Sequence, residues 1–427
     1  MSKLRALIPD LPREAWLVLG GGFASALGSG LTLPFFLVYL HLVRGIDLEL
    51  AGVALSTVAL AGLVGNPLGG WLSDRVGARS ALVAGLLVNA AGALSLVFVR
   101  ETWQALAAAA LVGLGASLVW PAEDSLLAVV VPPPLRSSVY AVHHATLNAG
   151  FGIGAVTSAA IVDAASPRSF ELVYVLDAAS FVLFAGVLSR LRVGLRRPEH
   201  EAATGGYRQV FADPVFLELW AVMALLVISG YAQFHAAFPA YATGPGGLSA
   251  RALGFAFGAN MLTVVVFQLF ALRVMAGRRR TRGLLLVCAS FALTWAVTLV
   301  AATTGGALVA ALLFATAMAL LGLGETFVSP TVPALVNDLA PDRLRGRYNG
   351  AFTLAWTSGF IVGPLIAGFA LGAGHGRAFF VGLICACGLA ALGALDLERR
   401  LPAAANLGGV TAAPEPLPVP LAPQPTE

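Results

Sequence analysis

Charge is what this chain has least of. Of its 427 residues only 11% are Asp, Glu, Lys or Arg, against 58% hydrophobic. A soluble domain carries about 25% charged residues, and only a bilayer accommodates so few over such a length. Cysteine is nearly missing too: Cys288, Cys385 and Cys387 all lie inside apolar runs. Cys385 and Cys387 are two apart and face different directions on a helix, which excludes a shared metal. Three such thiols indicate neither a disulfide framework nor a zinc site, and they read as packed apolar side chains. No nucleophile–base–orienter set, phosphate loop or soluble catalytic domain occurs, so the chain is expected to be no enzyme and to hold no cofactor or metal. Its basic residues sit in short segments between apolar runs, which gives no argument for nucleic acid. Met1–Arg13 is polar and broken by proline, and the apolar run from Ala15 is too long for a signal core, so a first helix that stays in the membrane is expected.

What is present is apolar sequence in helix-length runs. Twelve spans of about 20 residues would use roughly 240 residues. The spacing predicts helices 1 to 6 at Ala15–Val43, Leu50–Ser73, Ser80–Phe98, Trp103–Val130, Ser137–Val162 and Phe170–Leu191. It predicts helices 7 to 12 at Pro214–Tyr241, Leu253–Met275, Leu284–Thr303, Ala307–Leu335, Arg347–Leu371 and Ala378–Leu397. The expected organisation is an N-terminal segment 1–14, a six-helix bundle 15–191, a polar linker 192–213, a second bundle 214–397 and a proline-rich, disordered tail 398–427. With the N-terminus inside, 21 basic residues fall on the cytoplasmic side and 5 outside, as the positive-inside rule requires.

The two halves repeat. Shifting the first by 209 residues overlays Gly113-Leu114-Gly115 on Gly322-Leu323-Gly324, Pro121 on Pro330, Leu135-Arg136 on Leu344-Arg345, and Gly150 and Gly154 on Gly359 and Gly363. Parallel six-helix repeats about an axis along the membrane normal are a known transporter architecture.

Between helices 2 and 3 runs G-N-P-L-G-G-W-L-S-D-R-V-G-A-R-S, Gly65–Ser80. Gly77 permits the positive φ of a tight reversal. Gly65, Gly69 and Gly70 give a smooth helix face, and Asp74, Arg75 and Arg79 lie at the water boundary. Gly70, Leu72, Asp74, Arg75, Gly77 and Arg79 resemble the G-x-L-x-D-R-x-G-R signature of the major facilitator superfamily, with Ala78 where a basic residue is usual. The resemblance implies an all-α integral membrane protein of twelve helices in two pseudo-symmetric bundles. It also implies a cytoplasmic gate at Gly70, Asp74, Arg75, Gly77 and Arg79. Asp74 is expected to face the start of helix 11, and Arg75 or Arg79 to pair with Glu123 or Asp124. The copy of this loop in the second half keeps Gly277-Arg278-Arg279 but has Val274 in place of the acid.

Helices 1, 4, 7 and 10 line the cavity in that family. Glu325 on helix 10 then has two readings: a site for protons or a cationic substrate, or an ion pair with a loop arginine such as Arg345. Asp177, in the D-A-A-S-F stretch of helix 6, resembles macrolide-efflux-like members, with a structural hydrogen bond as the plainer reading. Asn148, Tyr231, Gln233 and Trp356 are further cavity candidates, each set against ordinary packing. Tyr39 and Tyr241 are expected in an interfacial belt. His143 and His144 are adjacent, diverge by about 100° on a helix and have no acidic cluster at metal spacing. Gly150, Gly154, Gly359, Gly363 and Pro364 read as close-packing positions. Helices 2, 5 and 11 are expected to slide on such glycine faces. Helix 4 has Ala109 where proton antiporters of this kind carry an arginine.

The expectation is therefore a monomeric secondary transporter with both termini cytoplasmic. It would export an amphipathic or drug-like small molecule by alternating access, with protons as the coupling candidate. The alternatives are an uptake symporter for a small neutral metabolite and, more remotely, a channel or membrane scaffold.

Overall fold

The computed structural model describes residues 11–132, 135–163, 166–191, 207–341 and 344–407, without the side chains of Gly70, Asp74, Arg136, Ser137, Ser138, Ala141, Leu269 and Ala404. Among the described residues there are twelve long helices. In the first half they are α1 (Arg13–Val43), α2 (Leu48–Val76), α3 (Ala78–Leu96), α4 (Thr102–Val130), α5 (Arg136–Ile161) and α6 (Pro167–Ser189). In the second they are α7 (Pro214–His235), α8 (Ala250–Met275), α9 (Arg280–Ala301), α10 (Ala307–Leu339), α11 (Arg345–Gly372) and α12 (Gly376–Arg400). Eleven are long and apolar enough to cross a membrane. The other is α5, whose 26 residues include His143, His144 and Asn148 and would span about 39 Å at 1.5 Å per residue. Among the described residues the one strand-type pairing is an isolated bridge between Asp163 and Ser166. Helices satisfy their own backbone groups, which is what a lipid solvent demands.

Local chemistry sets several helix ends. The Asp213 carboxylate accepts from the Val215 and Phe216 amides at 3.0 and 3.2 Å, and Pro214 supplies the first helical φ of α7. Glu101 and Gln104 form a capping box at the start of α4. Gly77 turns the chain between α2 and α3 with φ +87°. Two helices are irregular. After Thr32, α1 tightens into a 3₁₀ turn at Leu33–Phe35, around Pro34, and then widens to a π-turn at Tyr39–Val43. A second π-turn, Val227–Tyr231, interrupts α7, and the chain continues beyond His235 as Ala237–Thr243.

Packing within the halves follows one scheme. In the first, α1 lies on α5 and α6, α4 on α2 and α3, and α3 on α6; in the second, α7 lies on α11 and α12, α10 on α8 and α9, and α9 on α12. The halves meet along α2 with α11 and α5 with α8. The repeat seen in the sequence is thus a repeat of contacts.

Some expectations need correcting. The tail was expected to be disordered from 398, but α12 runs to Arg400 and a short helix, Ala403–Leu407, follows. Asn406 is buried there and its carboxamide oxygen accepts from the Thr281 amide at 3.1 Å. Residues 408–427, and 192–206 of the expected linker, lie outside the described residues; Tyr207–Val210 forms one helical turn. Cys288 and Cys387 are buried, whereas Cys385 is exposed. Tyr39 and Tyr241 are core residues rather than belt residues. The Tyr39 hydroxyl donates to the Leu96 carbonyl at 2.7 Å, and Tyr241 packs on Phe380 with ring centroids 4.6 Å apart.

Candidate functional site

The seam between the halves is closed at one end. The chain enters α1 at Arg13 and leaves α12 at Arg400, and the arginines at 75, 79, 279, 280 and 282 share that end; it is termed the basic face here. The named contacts between the halves lie toward the opposite face. A Cβ on Gly52 of α2 would fall 2.6 Å from the Pro364 carbonyl oxygen and 3.0 Å from Gly368 Cα of α11. The Glu49 side chain packs on Gly372, and Gly152 of α5 packs on Met261 of α8. Gly254 lies against Ala155 and Ala159, and Phe35 meets Phe257 edge-on at 6.4 Å. Toward the basic face the same helices present exposed side chains, including Leu68 and Trp71 of α2, His144 of α5, Phe270 of α8 and Thr353 of α11. The contacts named between the halves thus gather at the far face.

In the second half Tyr231, Trp356 and Glu325 form one group. Tyr231 lies 4.7 Å from Trp356 and 5.5 Å from Phe291 between ring centroids, and Trp356 stacks on Phe360 at 6.3 Å. The half-buried Glu325 of α10 accepts from the Asn260 carboxamide of α8 at 3.4 Å and lies close enough to Tyr231 to interact electrostatically. Asn260 is fully buried and also donates to the Met318 carbonyl. It packs against Gly322, whose missing side chain brings α8 onto α10. The plain alternative for Glu325, a pair with Arg345, is not the contact described; its partner is a neutral amide.

Gln233 was expected to face the cavity, but it is fully buried. Its amide donates to the Ile228 carbonyl at 2.7 Å and to the Gly363 carbonyl at 3.2 Å. The π-turn explains this: a widened turn frees carbonyls from the α-helical ladder, and buried carbonyls need donors. Trp295 Nε1 serves the next one, Ser229, at 2.6 Å. Asn148 is half-buried and its carboxamide donates to the His144 carbonyl of its own helix at 2.9 Å.

The packing glycines occupy matched places. Gly150 and Gly154 seat α5 on α1 near Phe23, Ala26 and Leu27, while Gly359 and Gly363 seat α11 on α7 near Val227 and Ala232. These contacts lie within each half. The expected sliding face across the halves belongs instead to Gly52 and Gly368, with the Pro364 carbonyl.

At the basic face, the surroundings of Gly70 and the side chain of Asp74, the acid of the expected gate, lie outside what is described. The Arg75 guanidinium sits over the Trp71 ring at 5.3 Å. Arg79 Nε donates to the Leu188 carbonyl at 2.7 Å, and its Nη2 to Ser189, which fastens α3 to the end of α6. Glu123 and Asp124 find His143 rather than an arginine. His143 Nε2 is 3.2 Å from Glu123, with both side chains buried, and its Nδ1 is 3.8 Å from the more exposed Asp124. Sequence reading missed this pair, although a signal existed. Glu123 lies seven residues before Val130 and His143 seven after Arg136, so consecutive antiparallel helices bring them level.

Paired six-helix halves built on one packing scheme are the architecture of a multi-pass membrane transporter of the twelve-helix kind. The model of the Major Facilitator Superfamily matches residues 18–360 and 247–421, and the chain belongs to that family. It is similar to the MFS-type transporter YttB of Bacillus subtilis, 25% identical over 84% of this chain and 88% of that protein. It is also similar to the multidrug resistance protein MdtH of Cronobacter sakazakii, 30% identical over 47% of this chain and 49% of that one. The solved nucleoside transporter NupG superposes with a TM-score of 0.76 over 90% of this chain and all of its own, at 11% identity; that likeness speaks for the fold alone.

Proposed function

We propose that the protein is a monomeric secondary transporter of the cytoplasmic membrane that exports an amphipathic, drug-like molecule by alternating access. Both termini are cytoplasmic in this reading, which follows from the excess of arginine on the basic face. The observation that carries it is the seam. Two matched halves meet through glycine and backbone at the far end, a contact suited to one state of a rocking pair. The wall of Tyr231 and Trp356 offers flat apolar surface with one acid, Glu325, at its edge. Such a wall suits a molecule with an aromatic body better than a sugar, which would call for a denser set of hydrogen-bonding side chains. The name of the MdtH relative supports the same substrate class.

Glu325 is the coupling candidate: a carboxyl held by an amide can gain or lose a proton without stranding a fixed cation. The test is flux of an amphipathic fluorescent dye in proteoliposomes with and without an imposed pH gradient. Gradient-driven dye movement that is lost in Glu325→Gln is the expected result. Dye flux equal to that of protein-free vesicles would overturn the efflux reading, and flux indifferent to the gradient would overturn proton coupling.

A further inference from the structure

The first half contains a cavity that the seam does not account for. About 200 Å3 lies among α1 to α6, with Val58 the contribution of α2, and every residue lining it belongs to this half. Most of the wall is carbon, from Phe36, Val119, Leu147, Phe151 and Phe181 among others. Two acids reach it, Glu123 from α4 and Asp177 from α6. Helix α1 makes room for both with glycine: a Cβ on Gly22 would fall 2.6 Å from Glu123 Oε1, and one on Gly28 2.7 Å from Asp177 Oδ1.

The acids differ in charge balance. Glu123 has the His143 imidazole at 3.2 Å. Asp177 has the Thr32 hydroxyl, which donates to Oδ2 at 2.8 Å. Its side chain is only 5% exposed, and its Oδ1 has no hydrogen-bond partner. Among the described residues, none that lines the cavity carries a positive charge. Arg44, further along α1, is engaged by Glu171 at 3.0 Å and by the Tyr39 hydroxyl at 2.7 Å. A carboxylate at this depth in a membrane protein is costly unless it is paired, and a cation in the cavity would give Asp177 the partner that its lining does not.

We propose that this cavity binds a small monovalent organic amine, with its ammonium group on Asp177 beside Thr32 and its apolar body along the phenylalanines. Three observations fix that class. Asp177 has a buried oxygen without a hydrogen-bond partner and no basic side chain beside it in the lining, whereas Glu123 has the His143 imidazole at 3.2 Å. The carbon walls suit an apolar body, which an inorganic cation would leave unused. The volume is below the roughly 300–1,000 Å3 typical of drug-sized ligands, which selects a small molecule. Its lining belongs to the first half alone, and the proposal stands whether or not the protein exports anything.

The test uses the purified full-length protein in detergent at pH 7, titrated calorimetrically with phenethylamine and with 2-phenylethanol as the uncharged control. The expected result is saturable one-site binding of the amine and none of the alcohol. Asp177→Asn should weaken binding at least tenfold. Ala93→Leu fills the cavity without touching either acid and should do the same. Thr32→Val should cost two- to fivefold. Each variant is scored only if its elution profile and melting temperature match the parent's, and Ala93→Leu and Thr32→Val keep the question open to test if Asp177→Asn does not fold. Equal binding of amine and alcohol, undiminished binding by folded Asp177→Asn or Ala93→Leu, or heat with sodium chloride and none with the amine would each overturn the proposal. Dye transport is a separate measurement: its loss with amine binding intact would break the export reading and leave this site standing.

Discussion

At the far face the two halves touch backbone to backbone. Gly52 meets the Pro364 carbonyl and Gly368, and Gly254 meets Ala155 and Ala159. At the basic face the contacts named below each lie within one half. Glu398 takes Arg279 at 2.6 Å and Arg282 at 3.1 Å, Arg280 takes Asp338 at 2.5 Å, and Arg79 caps the end of α6. The difference is one of physics. A contact made of shape is short-ranged and either fits or does not, because packed interiors do not deform continuously. A contact made of charge can change partners, and its strength falls with exposure and salt. An end held by shape resists ionic conditions, whereas an end served by arginines is free to be re-paired when the halves move.

The strongest way to break this contrast is to spoil the shape. Gly52→Leu forces α2 away from α11, and overpacking of this kind costs about 1–3 kcal/mol. That should shift the population toward an opened far face by about 5- to 150-fold. Spin labels on cysteines placed at Leu50 and Phe369, in a background without Cys288, Cys385 and Cys387, should report a longer distance. An unchanged distance would mean that the glycine contact does not hold this end shut.

Asp74→Asn probes the other end in its other state. If charge closes the basic face during the cycle, this variant should lose at least tenfold of dye flux while inserting normally. Normal turnover would remove Asp74 from the gate.

Smaller effects should come from fastenings inside one half. Asp213→Ala removes the α7 cap and the acceptor of the Tyr348 hydroxyl at 2.9 Å. The cap alone is worth about 0.5–2 kcal/mol. Glu398→Gln weakens pairs whose arginine side chains are more than half exposed, so roughly 0.2–1 kcal/mol is expected. Both should lower the melting temperature without moving the far-face distance. A distance change in either would show that the in-half network and the seam are coupled.

Much of the fold could be read from the chain because each span is a long apolar run bounded by Gly, Pro or arginine, and a lipid solvent leaves such runs one option. The offset of 209 that pairs Gly150 and Gly154 with Gly359 and Gly363 describes a real equivalence, since each pair seats the fifth helix of its half on the first. The π-turns could not be read, because Tyr39–Val43 and Val227–Tyr231 have ordinary helix compositions. That is why Gln233 was misplaced: a polar residue on an apolar helix reads as cavity-facing until the freed carbonyl beside it is known. The gating arginines were assigned to acids across the bundle because charge invites charge on paper. In space, Arg79 found carbonyls at a helix end, and His143 was level with Glu123.

The docked end of the chain has a practical consequence. Asn406 accepts from Thr281 and the Ala405 carbonyl accepts from Arg280 at 2.8 Å, so the segment Ala403–Leu407 is moored to the second half. A fluorescent protein fused there would travel with that half. With a second fluorophore on α2 or α3, it would make an optical ruler for the working cycle without altering a single residue of the membrane-embedded core.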